Sequence, residues 1–81
     1  MFRKLVKTTE IDIDGRAYSL RYFEQKTLRG SRRYNCEVML GAADRIILDD
    51  DSMSSLESKV ARLTPATVYS RMLAARTSAA A

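Results

Sequence analysis

The chain has 81 residues, of which 46% are hydrophobic and 30% charged, and it contains three glycines and one proline. This composition is typical of a single compact domain and leaves too little chain for a second one. The formal net charge is +4, with one cysteine and no histidine, which excludes an intramolecular disulfide, an imidazole metal ligand and a histidine general base.

We therefore expect one domain over residues 1–76 and a disordered tail over residues 77–81, whose alanines offer little to bury. The first residues are charged but are not followed by the apolar stretch of a signal peptide. No apolar run approaches the roughly 20 residues that a membrane span needs. The protein is therefore expected in the cytoplasm and away from membranes.

The first predicted element is a β-hairpin centred on Asp14-Gly15, with strands over residues 3–13 and 17–26. Apolar and polar residues alternate on both sides of this pair, and Asp-Gly favours a type I′ turn because both central residues need positive φ. The turn places Ile11 opposite Tyr18. The predicted core face of this hairpin comprises Leu5, Ile11, Ile13, Tyr18, Leu20 and Tyr22.

A third strand is predicted over residues 32–40. Its pairing register with the second strand determines the length of the loop between them. A two-residue turn at Arg29-Gly30 would place Tyr22 opposite Glu37, so that the apolar faces of the two strands would disagree. An odd loop, with a type I turn and a bulge at Gly30, pairs Tyr22 with Cys36 instead. The pattern favours the odd loop, and a short fourth strand follows over residues 45–49.

Two helices are predicted next, over residues 53–63 and 65–76. Asp50-Asp51-Ser52 followed by Ser54-Ser55-Leu56-Glu57 contains capping-box spacing and places negative charge at a helix start. An apolar stripe at helical spacing accompanies it. Thr64-Pro65 indicates a second start, since proline suits the first position of a helix. The predicted fold class is α+β, an antiparallel three- to four-stranded β-meander followed by two short α-helices packed on one sheet face. The side chains expected to be buried are Tyr18, Leu20, Tyr22, Cys36, Val38, Leu56, Val60 and Met72.

No catalytic or metal-binding residues are predicted. Asp49-Asp50-Asp51 lacks the alternating ligands, the glycine and the distal glutamate of a calcium loop, so these acids are interpreted as a strand end beside a helix start. Cys36 lies on the apolar side of its strand and is interpreted as a core residue with a raised pKa. The chain is thus predicted to be a non-enzymatic binding module without a cofactor.

The leading functional hypothesis concerns four bases within eight residues around the second hairpin loop: Lys26, Arg29, Arg32 and Arg33. No acid interrupts them. Guanidinium groups on a projecting loop can contact phosphate oxygens bidentately. The hairpin is therefore predicted to bind nucleic acid or another polyanion.

The alternative hypothesis concerns the outer face of the sheet, where Val6 is predicted to lie opposite Phe23, with Met39 nearby. An apolar stripe of this kind would serve a protein partner or a homodimer. Arg21 on the same face is predicted to pair with Glu37 across the strands. A bulge at Thr8-Thr9 would instead turn Val6 inward.

Overall fold

A computed structural model of the protein describes the backbone of residues 3–80 and the side chains of residues 3–76. Strands β1 (Arg3–Ile13), β2 (Arg16–Lys26), β3 (Arg32–Gly41) and β4 (Asp44–Asp50) form one antiparallel sheet in the order β1-β2-β3-β4. One helix, α1 (Met53–Ala80), follows. The α+β class and the meander are confirmed, whereas the prediction of two helices is wrong.

The turn between β1 and β2 forms as its residues predict. Asp14 and Gly15 both have positive φ, 53° and 80°, which a type I′ turn requires. The Gly15 N–H also donates a hydrogen bond of 3.0 Å to Asp12 Oδ1. This turn places Ile11 opposite Tyr18, so the predicted register next to the turn is confirmed.

The loop between β2 and β3 has the predicted odd length. The Gly30 N–H donates to the Thr27 carbonyl at 3.0 Å, and the Thr27 N–H donates to the Ser31 carbonyl at 2.8 Å. Gly30 has a φ of 84°, a conformation that favours glycine. The loop pairs Tyr22 with Cys36, as the apolar pattern requires.

A β-bulge interrupts β1 at Val6 and corrects two predictions. Leu5, and not Val6, lies opposite Phe23, and Lys7 lies opposite Tyr22. Because the bulge adds one residue to β1, Leu5 moves from the predicted core face to the outer face, where it is half exposed. The ladder is regular at Thr8-Thr9, so the bulge considered there is absent.

Lys7 stays on the inner face in spite of its charge. Its Nζ lies 4.9 Å from the centre of the Tyr22 ring and 2.8 Å from Glu57 Oε2 on α1. The aliphatic stem can therefore lie against the ring while the ammonium remains at the sheet edge, half exposed.

The helix continues through Pro65 because its buried stripe is continuous. Ser52 caps the start, since its Oγ accepts a 3.2 Å hydrogen bond from the Ser55 N–H. From there the buried positions recur every four residues, at Leu56, Val60, Thr64 and Val68. Packing of this stripe on the sheet outweighs the one backbone hydrogen bond that Pro65 removes. Thr64 is consequently a buried helix residue and not a cap.

The main core lies between the inner face of β2 and β3 and the first half of α1. It consists of Leu20, Tyr22, Cys36, Val38, Leu56 and Val60. Tyr18 is also buried, but Met72 is 47% exposed, so the prediction that it is buried is wrong. Tyr69 and Leu73 beside it are exposed as well.

Cys36 and Tyr22 face each other within this core, and burial favours the neutral form of both. Burial, partly offset by its hydrogen bond with Tyr22, raises the pKa of the Cys36 thiol to about 11. Burial and the neighbouring thiol raise the pKa of Tyr22 to about 12. The interpretation of Cys36 as a core residue is confirmed, since none of its surface is exposed.

The predicted tail, residues 77–81, lies beyond the side chains that the structure describes and stays a prediction. Within the described part of the chain, no helix is both long and apolar enough to cross a membrane.

Candidate functional site

The outer face of the sheet is the side away from α1, and no helix of the described chain covers it. Residues from all four strands meet on this face. Two apolar side chains at its opposite edges, Leu5 on β1 and Ile47 on β4, are each about half exposed, at 50% and 52%. The centre of the face is nevertheless closed by side chains, because Asn35 and Glu37 on β3 are 7% and 2% exposed.

Glu37 is the centre of a cluster of three arginines, called here the arginine cluster: Arg3, Arg21 and Arg45. Glu37 Oε1 accepts a hydrogen bond from Arg21 Nη2. Glu37 Oε2 lies 3.4 Å from Arg3 Nη2 and 3.3 Å from Arg45 Nη1. One carboxylate therefore holds guanidinium groups from β1, β2 and β4, and the predicted pair of Arg21 with Glu37 is confirmed.

The arginine cluster keeps Glu37 ionised and carries an excess of positive charge. Burial by itself would raise the pKa of Glu37, but the hydrogen bond from Arg21 and the charges of Arg21, Arg45 and Arg3 outweigh it and lower that pKa. Three guanidinium groups around one carboxylate leave two positive charges in excess. The arginine side chains are 42–57% exposed, so this charge is accessible from solvent.

Arg3 also lies over the only aromatic ring among the described residues of this face. Its Cζ is 4.0 Å from the centre of the Phe23 ring, within the range of a cation–π contact. Arg3 starts beside Gln25 at one end of the sheet and crosses Phe23 to reach Glu37. The flat guanidinium is thus held between a carboxylate at its tip and a ring beneath it.

Two buried polar atoms beside the arginine cluster have no hydrogen-bond partner, Asn35 Oδ1 and Arg21 Nε. Asn35 lies directly opposite Phe23, and its Nδ2 donates to Gln25 Oε1 at 3.3 Å. Unsatisfied buried polar atoms are uncommon in folded proteins and call for an explanation. The face therefore holds one unused acceptor and one unused donor next to its surplus charge.

The four bases of the predicted hairpin site are placed differently from one another. Arg33 lies on the outer face and its Nη2 is 2.6 Å from Asp49 Oδ2, while Arg32 lies 3.6 Å from Glu24. Among residues 3–76, neither Lys26 nor Arg29 has an acidic partner within ion-pair distance. Half of the predicted basic charge is therefore matched by acids from neighbouring strands, which spacing along the sequence does not reveal.

The tip of the same hairpin presents one apolar side chain to solvent. Leu28 precedes Arg29 in the turn and is 96% exposed. A shallow concavity beside it is lined by Gln25, Thr27, Leu28, Arg29, Ser31 and Arg33. It joins the loop to the outer face, because Gln25 and Arg33 are paired there across β2 and β3.

The three residues of the predicted apolar interface do not form a continuous apolar patch. Val6 is the bulged residue, Phe23 lies under Arg3, and Met39 Sδ lies 4.0 Å from Arg21 Nη2. Arginine side chains therefore interleave with the apolar ones. The exposed apolar positions of the face are Leu5 and Ile47.

Sequence reasoning assigned Arg21 and Glu37 to this face but missed Arg3 and Arg45 as their partners. Arg45 lies opposite Met39 on β4, and its position follows once the β3–β4 register is known. Arg3 reaches the cluster only because the bulge at Val6 sets the face of the preceding residues. No pattern in the sequence marks that bulge.

The three aspartates at the end of β4 and directly after it, Asp49 to Asp51, have partners in the sheet and the helix. Asp49 pairs with Arg33, Asp50 lies 3.3 Å from Lys59 Nζ, and the Asp51 N–H donates to Asp50 Oδ1. Within the described chain, no group of three or more acidic, histidine or cysteine side chains is placed to hold a metal ion.

Comparison of the chain with protein-family models, with curated proteins and with solved structures finds no match.

Proposed function

We propose that this protein is a binding module for nucleic acid and that the outer face of the sheet, extended by the second hairpin loop, is its binding surface. The observation that carries the proposal is the arginine cluster around Glu37, which leaves two positive charges on a face that no described helix covers. Phosphate groups are the natural ligands of exposed guanidinium groups, because the planar fork matches two phosphate oxygens.

Glu37 makes this cluster better suited to a ligand than three free arginines. Exposed arginines lose side-chain entropy when a ligand immobilises them. Arg3, Arg21 and Arg45 are already held by the carboxylate, so less of that cost remains on binding. Each guanidinium has five N–H donors, of which Glu37 occupies only a part.

The hairpin loop supplies further contacts, although not all four that its sequence suggests. Lys26 and Arg29 are exposed and are available to phosphate. Arg32 and Arg33 would have to exchange Glu24 and Asp49 for a ligand. We therefore propose Lys26 and Arg29 as loop contacts, and we expect Arg32 and Arg33 to contribute less to the affinity for the ligand.

The proposal is tested by the salt dependence of binding to a fluorescently labelled 20-nucleotide oligonucleotide. Replacing Arg3 and Arg45 by serine should flatten the log–log salt slope by about 1.5, at about 0.7–0.9 per lost phosphate contact. Lys26→Ser with Arg29→Ser should act in the same direction. The matched control is Arg62→Ser with Arg76→Ser, which removes the same charge from α1 and should leave the slope nearly unchanged.

Two results would refute this function. One is the absence of binding to both DNA and RNA at low salt and tens of micromolar protein. The other is an equal loss of affinity in the α1 control, which would show that net charge alone attracts the ligand.

A second candidate function is a protein interface on the same face, and the half-exposed Leu5 and Ile47 favour it. The sequence prediction for this role was Val6, Phe23 and Met39. Two copies that met at their arginine clusters would bring the excess positive charge of both clusters together, which opposes a homodimer centred there. An acidic partner protein suits the face better than a second copy.

A further inference from the structure

We infer that the nucleic acid bound by this face is single-stranded, and that one unpaired base stacks on the guanidinium of Arg3. This inference rests on the proposed function and specifies its ligand. It is carried by the position of Arg3 between Phe23 and solvent.

Arg3 presents a flat and oriented surface. One side of its guanidinium lies against the Phe23 ring, with 4.0 Å between Cζ and the ring centre, and its Nη2 is 3.4 Å from Glu37 Oε2. Its side chain is still 42% exposed. The opposite side of the group is thus available, and its orientation is already set by two contacts.

A guanidinium plane of this kind is a stacking partner for a nucleobase. In a duplex the faces of the bases are covered by their neighbours, so only an unpaired or splayed base can offer a face to Arg3. Phe23 cannot take the base directly, because its ring is half-buried beneath Arg3. The expected order of layers is therefore Phe23, Arg3 and base.

The surroundings of Arg3 suit a nucleotide better than a simple anion. Asn35 Oδ1 and Arg21 Nε are buried without a partner, and Asn35 lies opposite Phe23 on the neighbouring strand. A nucleotide carries both amino donors and oxygen acceptors, so it can satisfy an unused acceptor and an unused donor at one site if the overlying side chains shift on binding. Sulfate, a fully deprotonated anion at neutral pH, offers no donor for the Asn35 oxygen.

The inference is tested by a substitution that keeps the charge and removes the flat group. Arg3→Lys should weaken binding of a labelled 12-nucleotide single strand by roughly tenfold, the loss expected for one stacked base, with the salt slope unchanged. The matched control is Arg62→Lys, which makes the same change at an exposed position of α1 outside the proposed surface and should alter affinity less than twofold. A 2-aminopurine in the strand should become brighter on binding the parent protein, because the base leaves its neighbours to stack on Arg3, and this rise should be smaller with Arg3→Lys.

The possible outcomes distinguish failure of the stacking inference from failure of the proposed function on which it rests. If a hairpin duplex of the same sequence binds as tightly as the single strand, or if Arg3→Lys binds as well as Arg62→Lys, the stacking inference is overturned while the proposed function stands. If neither single strand nor duplex binds, the proposed function itself fails, and the inference with it. Circular dichroism of each variant establishes that the sheet is intact.

Discussion

Replacing Glu37 by glutamine should destabilise the fold and weaken binding although it makes the protein more positive. The substitution preserves shape but removes the carboxylate that accepts the hydrogen bond from Arg21 and faces Arg3 and Arg45. A charge-assisted hydrogen bond to a buried group contributes about 1.5–3 kcal/mol. The two longer contacts, to arginines that are about half exposed, add less than about 1 kcal/mol each because solvent screens them.

The expected loss for Glu37→Gln is therefore about 2 kcal/mol at neutral pH, after allowance for the exposure of the arginines. With a urea m value of about 1–1.5 kcal/mol/M for a chain of this size, the unfolding midpoint should fall by about 1–2 M. Glu10→Gln is the matched control, because Glu10 is exposed on the same face and outside the cluster. Its effect should stay within about 0.5 kcal/mol.

The pH dependence of this loss gives an independent check. The pKa of Glu37 is lower in the folded protein than its ordinary value, so its stabilising effect is complete above about pH 4.5 and disappears as the pH falls through the folded value. Parent and Glu37→Gln proteins should thus converge in acid. A stability gap below about 0.5 kcal/mol at pH 7, or one that does not change with pH, would refute the role given to Glu37.

Three further predictions concern the core and the oligomeric state. Thr64→Val should stabilise the protein by about 1 kcal/mol in urea unfolding, because it removes the buried Oγ1 that has no partner. The raised pKa values of Cys36, about 11, and Tyr22, about 12, favour the neutral forms, so stability should hold below about pH 8.5 and fall as the pH rises towards 11. That fall should be smaller in Cys36→Ala. Finally, sedimentation at high concentration should show a monomer for both the parent and Phe23→Glu; a parent dimer that Phe23→Glu dissociates would restore the homodimer hypothesis.

The hairpins and the core of this fold are predictable from the sequence because their signals are local. Asp14-Gly15 fixes the first turn, and the agreement of apolar faces between Tyr22 and Cys36 fixes the length of the second loop. Both features follow from the two-residue alternation of side chains along a strand and from the positive φ that glycine readily adopts.

The errors arose where packing between distant residues outweighs a local preference. Thr64-Pro65 reads locally as a helix start, but the stripe from Leu56 to Val68 is buried on one sheet face and holds a single helix together. The sequence of the basic hairpin suggests four positive charges that are free to bind a ligand, but β4 brings Asp49 beside Arg33. The arginine cluster could not be predicted in full, because the face on which Arg3 lies is set by the bulge at Val6. No residue type in β1 predicts that bulge.

The bulge at Val6 also has a consequence for changes in chain length. β1 carries one residue more than its ladder with β2 needs, so deletion of Val6 would leave Leu5 opposite Phe23 and Arg3 beside Gln25. The same deletion within β2, which has no spare residue, would send every side chain on one side of it to the other face. In the described ladder, β1 is therefore expected to tolerate the loss of this residue while the guanidinium of Arg3 stays over its ring.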